Sequence, residues 1–242
     1  MKIAIYGDSF GCINLVNGSP DIGTSWPELL MKNNSVKIFA RTGSAFMFSY
    51  EEFLNNHAEY DLNIFIPTLP NRLYVKALPN QLFFGSTWAE YLIKLTKKKP
   101  WYAKKEEELD ILESVKIYIE LWADFEMMRH IQHVLVNNLW NLSPNTLVIP
   151  GFADSISQTT KNLHELAMAE LKLADQKKFN EFDFNFMSCK RKCHFSEENN
   201  LVIFELLSDA IKNNKKILEI DNTVLVTPSK NFDDYVGKAV LE

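Results

Sequence analysis

Short apolar runs closed by glycine or proline recur through the first seventy residues, with amphipathic stretches between them. Residues 3–6 are an unbroken apolar run ending at Gly7, the pattern of a buried strand. Ser25-Trp26-Pro27-Glu28 then opens a helix, because proline suits the first turn and an acid there complements the helix dipole. Residues 36–40 predict a second buried strand with Gly43 just past it. Residues 50–58 predict a helix, and residues 62–66 a third strand that stops at Pro67. Three strand–loop–helix cycles in this order predict right-handed βαβ units and a parallel sheet.

The pattern then changes. Residues 68–104 carry Pro70, Pro79, Gly85 and Pro100, and read as an elaborated loop with a short helix near residues 88–95. From Glu106 to Leu139 the apolar positions step by three or four, which predicts one long amphipathic helix with at most one break. Residues 146–149 predict a fourth strand, followed by Pro150 and Gly151. Residues 161–174 and 197–211 predict two more helices, the second capped by Ser196. Residues 216–227 alternate weakly and predict a hairpin or strand pair. No internal repeat or low-complexity tract interrupts the chain. The expected architecture is a three-layer α/β/α sandwich around a mostly parallel sheet. Residues 1–215 would form one domain with an insertion at about 73–140, and residues 216–242 an extension packed on it.

Composition narrows the class. The 242 residues are 46% apolar and 24% charged, the balance of a globular protein. A net charge of −5 offers no electrostatic reason to expect nucleic acid. Three cysteines form no disulfide framework and suit a reducing compartment. The apolar run at the N-terminus is too short for a signal peptide, and no stretch approaches the ~18 apolar residues of a membrane span. The expectation is a cytoplasmic protein with no membrane partner.

The sharpest chemical signal is Gly7-Asp8-Ser9-Phe10-Gly11, at the carboxyl end of the first strand. Ligands in open α/β sheets bind just beyond the carboxyl ends of the strands. A serine flanked by glycines there can offer both its hydroxyl and its backbone N–H. The string also fits the G-x-S-x-G nucleophile elbow, but an elbow serine follows several strands and here only one precedes it. The second signal is His194, in the loop just before the last long helix, where an imidazole can reach a neighbouring site.

A serine after strand one and a histidine before the last helix resemble the SGNH (GDSL-type) hydrolases, whose fold is flavodoxin-like. Trp26-Pro27-Glu28-Leu29 looks like the family's first helix. Gly43, in Arg41-Thr42-Gly43-Ser44, stands where its second block has a glycine, and Asn71, in Thr68-Leu69-Pro70-Asn71-Arg72, stands at the asparagine of its third. The matches span about residues 3–75 and 145–211. The resemblance implies Ser9 as nucleophile and His194 as general base, then acid. It implies an oxyanion hole made by the N–H groups of Ser9 and Gly43 with the Asn71 amide. It calls for no cofactor and no metal. The physics agrees, since a serine hydroxyl is a weak nucleophile until a base takes its proton. Donors aimed at the developing oxyanion are each worth roughly 10²–10³ in kcat.

Two departures stand out. The family's orienting aspartate, three residues before the histidine, is replaced by Arg191, within the run Lys190-Arg191-Lys192. A backbone carbonyl, or an acid such as Asp154 or Asp183, would have to hold the ring, or else the site works as a Ser–His dyad. In the third block Leu69 replaces glycine and Arg72 replaces aspartate, a T-x-P-x-R form. Arg41 and Arg72 either bind a substrate carboxylate or pair with acids such as Asp8. Cys189 and Cys193 beside His194 lack the further ligands of a tetrahedral metal site and read as packing thiols. His130 and His133 read as surface residues, Cys12 as core or pocket lining, and the lysines around Trp101 as a solvated loop.

Two function classes follow. The first is a serine esterase that removes a small acyl group from a small molecule or glycan, with O-acetyl on a carbohydrate as the implied substrate. Aromatics such as Trp88 and Trp101 would serve the sugar. The second is a catalytically weak or inactive SGNH-like domain that binds a glycan or protein, a reading that Arg191 favours. Below deacetylation ranks a lipase or thioesterase acting on longer acyl chains, which needs an apolar groove, with Phe46-Met47-Phe48 and Phe83-Phe84 as the candidate walls.

Overall fold

The computed structural model describes residues 1–13, 15–16, 19–20, 24–70, 72–75, 86–98, 105–121, 123–152, 161–181, 187–189, 192–220 and 225–238. The elements, in chain order, are β1 (Lys2–Tyr6), β2 (Leu15–Val16), β3 (Ser19–Pro20), α1 (Trp26–Met31), β4 (Ser35–Ile38), α2 (Phe46–Asn56) and β5 (Leu62–Phe65). Then come α3 (Ser86–Lys97), α4 (Lys105–Leu121), α5 (Phe125–Leu142), β6 (Thr146–Val148), α6 (Leu163–Ala174) and α7 (Gln176–Glu181). The chain finishes with β7 (Met187–Cys189), α8 (Glu197–Lys212), α9 (Phe232–Tyr235) and β8 (Val236–Lys238).

The fold is α/β. Four strands form a parallel sheet in the order β4-β1-β5-β6, so the four run 2-1-3-4 by their position in the chain. That order reverses direction between β1 and β5, and the crevice beyond their carboxyl ends is where doubly wound sheets bind ligands.

Strand alternation sends the apolar side chains to two faces. Ile3, Ile5, Ile64, Ile66, Leu147 and Ile149 pack on one side against α1, α6 and α8, through Trp26, Leu166 and Leu207 among others. Ala4, Tyr6, Phe65 and Val148 pack on the other side against α2 and α5, through Phe46, Phe53 and Leu139. This makes three layers, with buried side chains on both faces of the sheet, as a parallel sheet requires. A third, smaller core joins α3 to α4 through Ala89, Leu92 and Ile93 against Leu112, Val115 and Ile119.

Two sequence expectations change in detail and one is made specific. Helix α2 starts at Phe46, four residues early, because Phe46 buries its ring edge-on against Phe65 at 5.7 Å instead of continuing a loop. The long helix expected over 106–139 takes the one break allowed for it and is two helices. Asp124 caps α5 by accepting from the Met127 N–H at 2.9 Å, and α4 closes with the Ala123 N–H on the Tyr118 carbonyl. The hairpin expected over 216–227 is absent among the described residues. Ile217 instead makes a single parallel bridge to Val148, on the edge of the sheet. The antiparallel pair β7–β8, with α9 before it, has no counterpart in the sequence expectations. Among the described residues no helix is long and apolar enough to cross a membrane.

Candidate active site

The turn after β1 is built around Gly7. Its φ is +152°, and a Cβ there would lie 2.7 Å from the Ile66 Cβ and 3.0 Å from the Ile66 carbonyl oxygen, so only glycine lets β1 leave the sheet beside β5. Asp8, fully buried, ties the turn together. One carboxylate oxygen accepts from the Phe10 N–H at 3.1 Å, and the Gly11 N–H donates to the Asp8 carbonyl. Ser9 sits at the crest of this turn, partly exposed.

The second turn, residues 41–44, is hung from the first. The Gly7 carbonyl accepts from the Arg41 N–H at 3.0 Å, the Ser44 hydroxyl at 2.7 Å and the Ser49 hydroxyl at 3.3 Å. Gly43 is buried with φ +68°, a left-handed conformation that side chains disfavour. Among the described residues, neither the Ser9 N–H nor the Gly43 N–H is spent on a hydrogen bond. Both therefore remain free as donors.

His194 comes to Ser9 from 185 positions away in the chain: its Nε2 lies 2.6 Å from the Ser9 Oγ, a short hydrogen bond. The loop that carries it is unusual in its backbone. Cys193 at φ 48° and His194 at φ 67° are consecutive non-glycine residues in the left-handed region. Such conformations cost about 1–3 kcal/mol each and persist only where surroundings over-determine them. The surroundings here are visible. The Cys193 thiol donates to the Cys12 carbonyl at 2.8 Å, and the His194 ring packs 4.7 Å from the Phe10 ring centre. Just downstream, the Ser196 N–H donates to Glu170 Oε1 at 2.9 Å, and Ser196 caps α8 by accepting from the Asn199 N–H.

Two further residues lock the nucleophile turn to this loop. The Trp26 indole N–H donates to the Phe10 carbonyl at 2.9 Å, while its backbone N–H donates to Asn200 Oδ1 at 3.1 Å. The Asn200 amide in turn donates to the carbonyls of Phe195 and Ser196. Glu170 is fully buried and accepts from both the Ser196 N–H and the Asn199 amide. Sequence reasoning overlooked Trp26, Glu170 and Asn200 as positioning groups. A signal was present, since Glu170 and Asn200 interrupt otherwise apolar faces of α6 and α8.

Arg72 lies beyond β5, across the crevice. Its Nη1 is 2.6 Å from Asp8 Oδ2 and 3.3 Å from the Ser44 carbonyl, and the guanidinium lies 4.7 Å over the Phe152 ring. Both side chains of the ion pair are inaccessible, at 8% and 0% exposure. Burial pushes the Asp8 carboxyl above its ordinary range, and the Arg72 charge pulls against that. Arg72 thus pairs with Asp8, one of the two alternatives its sequence position left open. Arg41 lies over the Phe48 ring at 4.5 Å instead, near the surface.

The remaining candidates separate from the site. Asn71, Arg191, Asp154, Asp183 and Trp101 lie outside the described residues. Burial pushes the Cys12 thiol up to about 11 and the Cys193 thiol well above its usual value. Both are therefore poor nucleophiles and poor ligands near neutrality. Among the described residues no cluster of His, Cys, Asp or Glu is placed to hold a metal ion. His130 Nδ1 donates to the Glu126 carbonyl at 2.9 Å on the exposed side of α5.

No protein-family model, no curated protein and no solved structure matches the chain.

Proposed function

We propose that this protein is a serine hydrolase of carboxylic esters, related to the SGNH (GDSL-type) hydrolases and working through Ser9 and His194. The observation that carries the reading is the 2.6 Å contact between His194 Nε2 and Ser9 Oγ, placed at the crevice where the sheet order reverses. The free Ser9 and Gly43 N–H groups and the order of the sequence blocks support it.

In this mechanism Ser9 Oγ attacks the ester carbonyl carbon while its proton passes to His194 Nε2. Negative charge moves to the carbonyl oxygen, which the Ser9 and Gly43 N–H groups receive, with Asn71 as a candidate third donor. The intermediate collapses as the carbon–alcohol bond breaks, and His194 returns its proton to the departing alkoxide. Water then attacks the acyl-enzyme and gives its proton to His194. The second intermediate expels Ser9 Oγ, which regains that proton as the acid leaves. The loop helps to position His194: the paired left-handed residues, the Cys193–Cys12 contact and the Glu170 anchor fix its main chain.

The test is hydrolysis of p-nitrophenyl acetate by wild type, Ser9→Ala and His194→Ala, with folding checked by circular dichroism. We expect Ser9→Ala at background and His194→Ala reduced by about 10²–10⁴-fold. Equal rates in all three proteins would instead favour a non-catalytic SGNH-like binding domain. The family resemblance points to acetyl on a carbohydrate, but one feature of the molecule bears directly on the acyl group.

A further inference from the structure

A cleft of about 930 Å³ opens between the first turn of α2, the segment after β5, and helices α4 and α5. Its wall is apolar or aromatic except at Arg72, Asp110, Ser114 and Gln132. Ser9 and Gly43 do not line it, and Arg72 is its link to the catalytic turn. Arg72 lines it and also holds Asp8, the residue before Ser9. Phe46 and Met47, three and four residues past Gly43, form the wall nearest the oxyanion turn. His194 and the groups packed around it, Phe10 and Cys193, take no part in the lining.

This placement separates the two halves of an ester. His194 must protonate the leaving alcohol, so the alcohol lies on the His194 side. The cleft adjoins the oxyanion turn: Arg72, in its lining, donates to the Ser44 carbonyl at 3.3 Å, and Phe46 follows two residues later, whereas the His194 loop contributes nothing to the wall. We infer, on the strength of the esterase reading, that the substrate's acyl group is an apolar chain of roughly six or more carbons, housed in the cleft between α2, α4 and α5. At roughly 30 Å³ per heavy atom, an acetyl group fills only about a tenth of that volume. A wall of Leu73, Val115 and Met128 contributes nothing to so small a group.

One polar atom refines the fit. Gln132 is 2% exposed and donates through its amide to the Thr68 carbonyl at 2.9 Å, yet among the described residues its Oε1 has no hydrogen-bond partner. Buried acceptors are rarely left without a donor. A chain that carries one hydroxyl or amide N–H satisfies Gln132 Oε1 when it enters.

The experiment measures kcat/KM for p-nitrophenyl acetate, butyrate, hexanoate and octanoate, below their micelle concentrations, with Ser9→Ala as the blank. We expect a rise with chain length of up to about fourfold per methylene, the limit set by full burial. Met128→Trp, which narrows the cleft, and Ile131→Trp, at its exposed mouth, should each lower the octanoate-to-acetate ratio by tenfold or more. Ser9-dependent hydrolysis with a flat or falling chain-length profile overturns the acyl cleft and leaves the esterase standing. So does an unchanged ratio in both folded variants. Absence of Ser9-dependent hydrolysis of every ester removes the esterase reading and this inference together.

Discussion

The layers around Ser9 and the helices inserted between β5 and β6 are held by different forces. Around Ser9 the cross-links are polar and directional. Gly7 accepts three donors, Asp8 binds Arg72, Trp26 joins Phe10 to Asn200, and Glu170 anchors the start of α8. Between α3 and α4 the contact among the described residues is an apolar seam, crossed by the Lys116–Glu90 ion pair and a long Thr96–Glu108 hydrogen bond. A nucleophile and its base must meet within tenths of an ångström, and only hydrogen bonds and over-determined backbone specify position that finely. A cleft for an apolar chain needs shape and dryness, which side-chain packing supplies with wide tolerance. The two halves therefore fail differently when perturbed.

The largest effect should come from the buried ion pair. Arg72→Met leaves the Asp8 carboxylate buried without its cation and should cost about 3–5 kcal/mol in urea unfolding. Combining it with Asp8→Asn should recover most of that loss. If the double variant is no better than Arg72→Met, the pair is not the link between the β1 and β5 turns. Next in size is Leu112→Ala, in the fully buried seam of α3 and α4, at about 2–5 kcal/mol. Here the comparison can be broken. Hydrogen exchange should speed up in α3 and α4 while β1 and β5 keep their protection. Loss of protection in both would make the inserted helices and the sheet one cooperative unit.

Glu170→Ala should cost about 1–3 kcal/mol, because it strands two buried donors, and should also lower Ser9-dependent turnover. Glu170→Gln keeps an oxygen acceptor and should restore turnover. Failure of that rescue would assign Glu170 to packing alone.

The smallest effect is one of pH. Burial against Phe152, and the nearby Arg72 charge, lower the His164 affinity for a proton. The unfolded chain then binds the proton first, so stability is fully present above pH about 6.5 and declines as pH falls through the lower folded value. His164 is largely exposed to solvent, which keeps this slope shallow. His164→Phe should flatten it further, as read by urea midpoints between pH 7 and 5.

Several features were legible in residue order alone. The runs at 3–6, 62–66 and 146–149 announced the parallel strands, since strands covered on both faces are mostly apolar, with Asn63 and Thr146 the buried polar exceptions. Ser196 announced the start of α8, and its side chain does accept from the Asn199 N–H. Ser9 and His194 stood out because reactive residue types sat at loop positions beside strand and helix ends. One break in the long helical stretch was allowed for, but its place was not legible, because Asp124 caps α5 without disturbing the apolar period around it. Helix α2 was read as starting late because Phe46-Met47-Phe48 fits either a loop or a helix until Phe65 is present to receive Phe46.

The amino-acid order by itself determined the local events: where strands run, where helices are capped, and where glycine lets the chain turn. These depend on neighbours a few residues apart, whose interactions are written in periodicity and side-chain type. The tertiary structure alone decided that His194 meets Ser9 across 185 positions, that Arg72 spends its charge on Asp8, and that α2, α4 and α5 enclose an apolar space. Each is a contact between segments distant in the chain. Residue types permit many such pairings, and only the packing of the whole fold, with its buried charges neutralised and its sheet covered on both faces, selects among them.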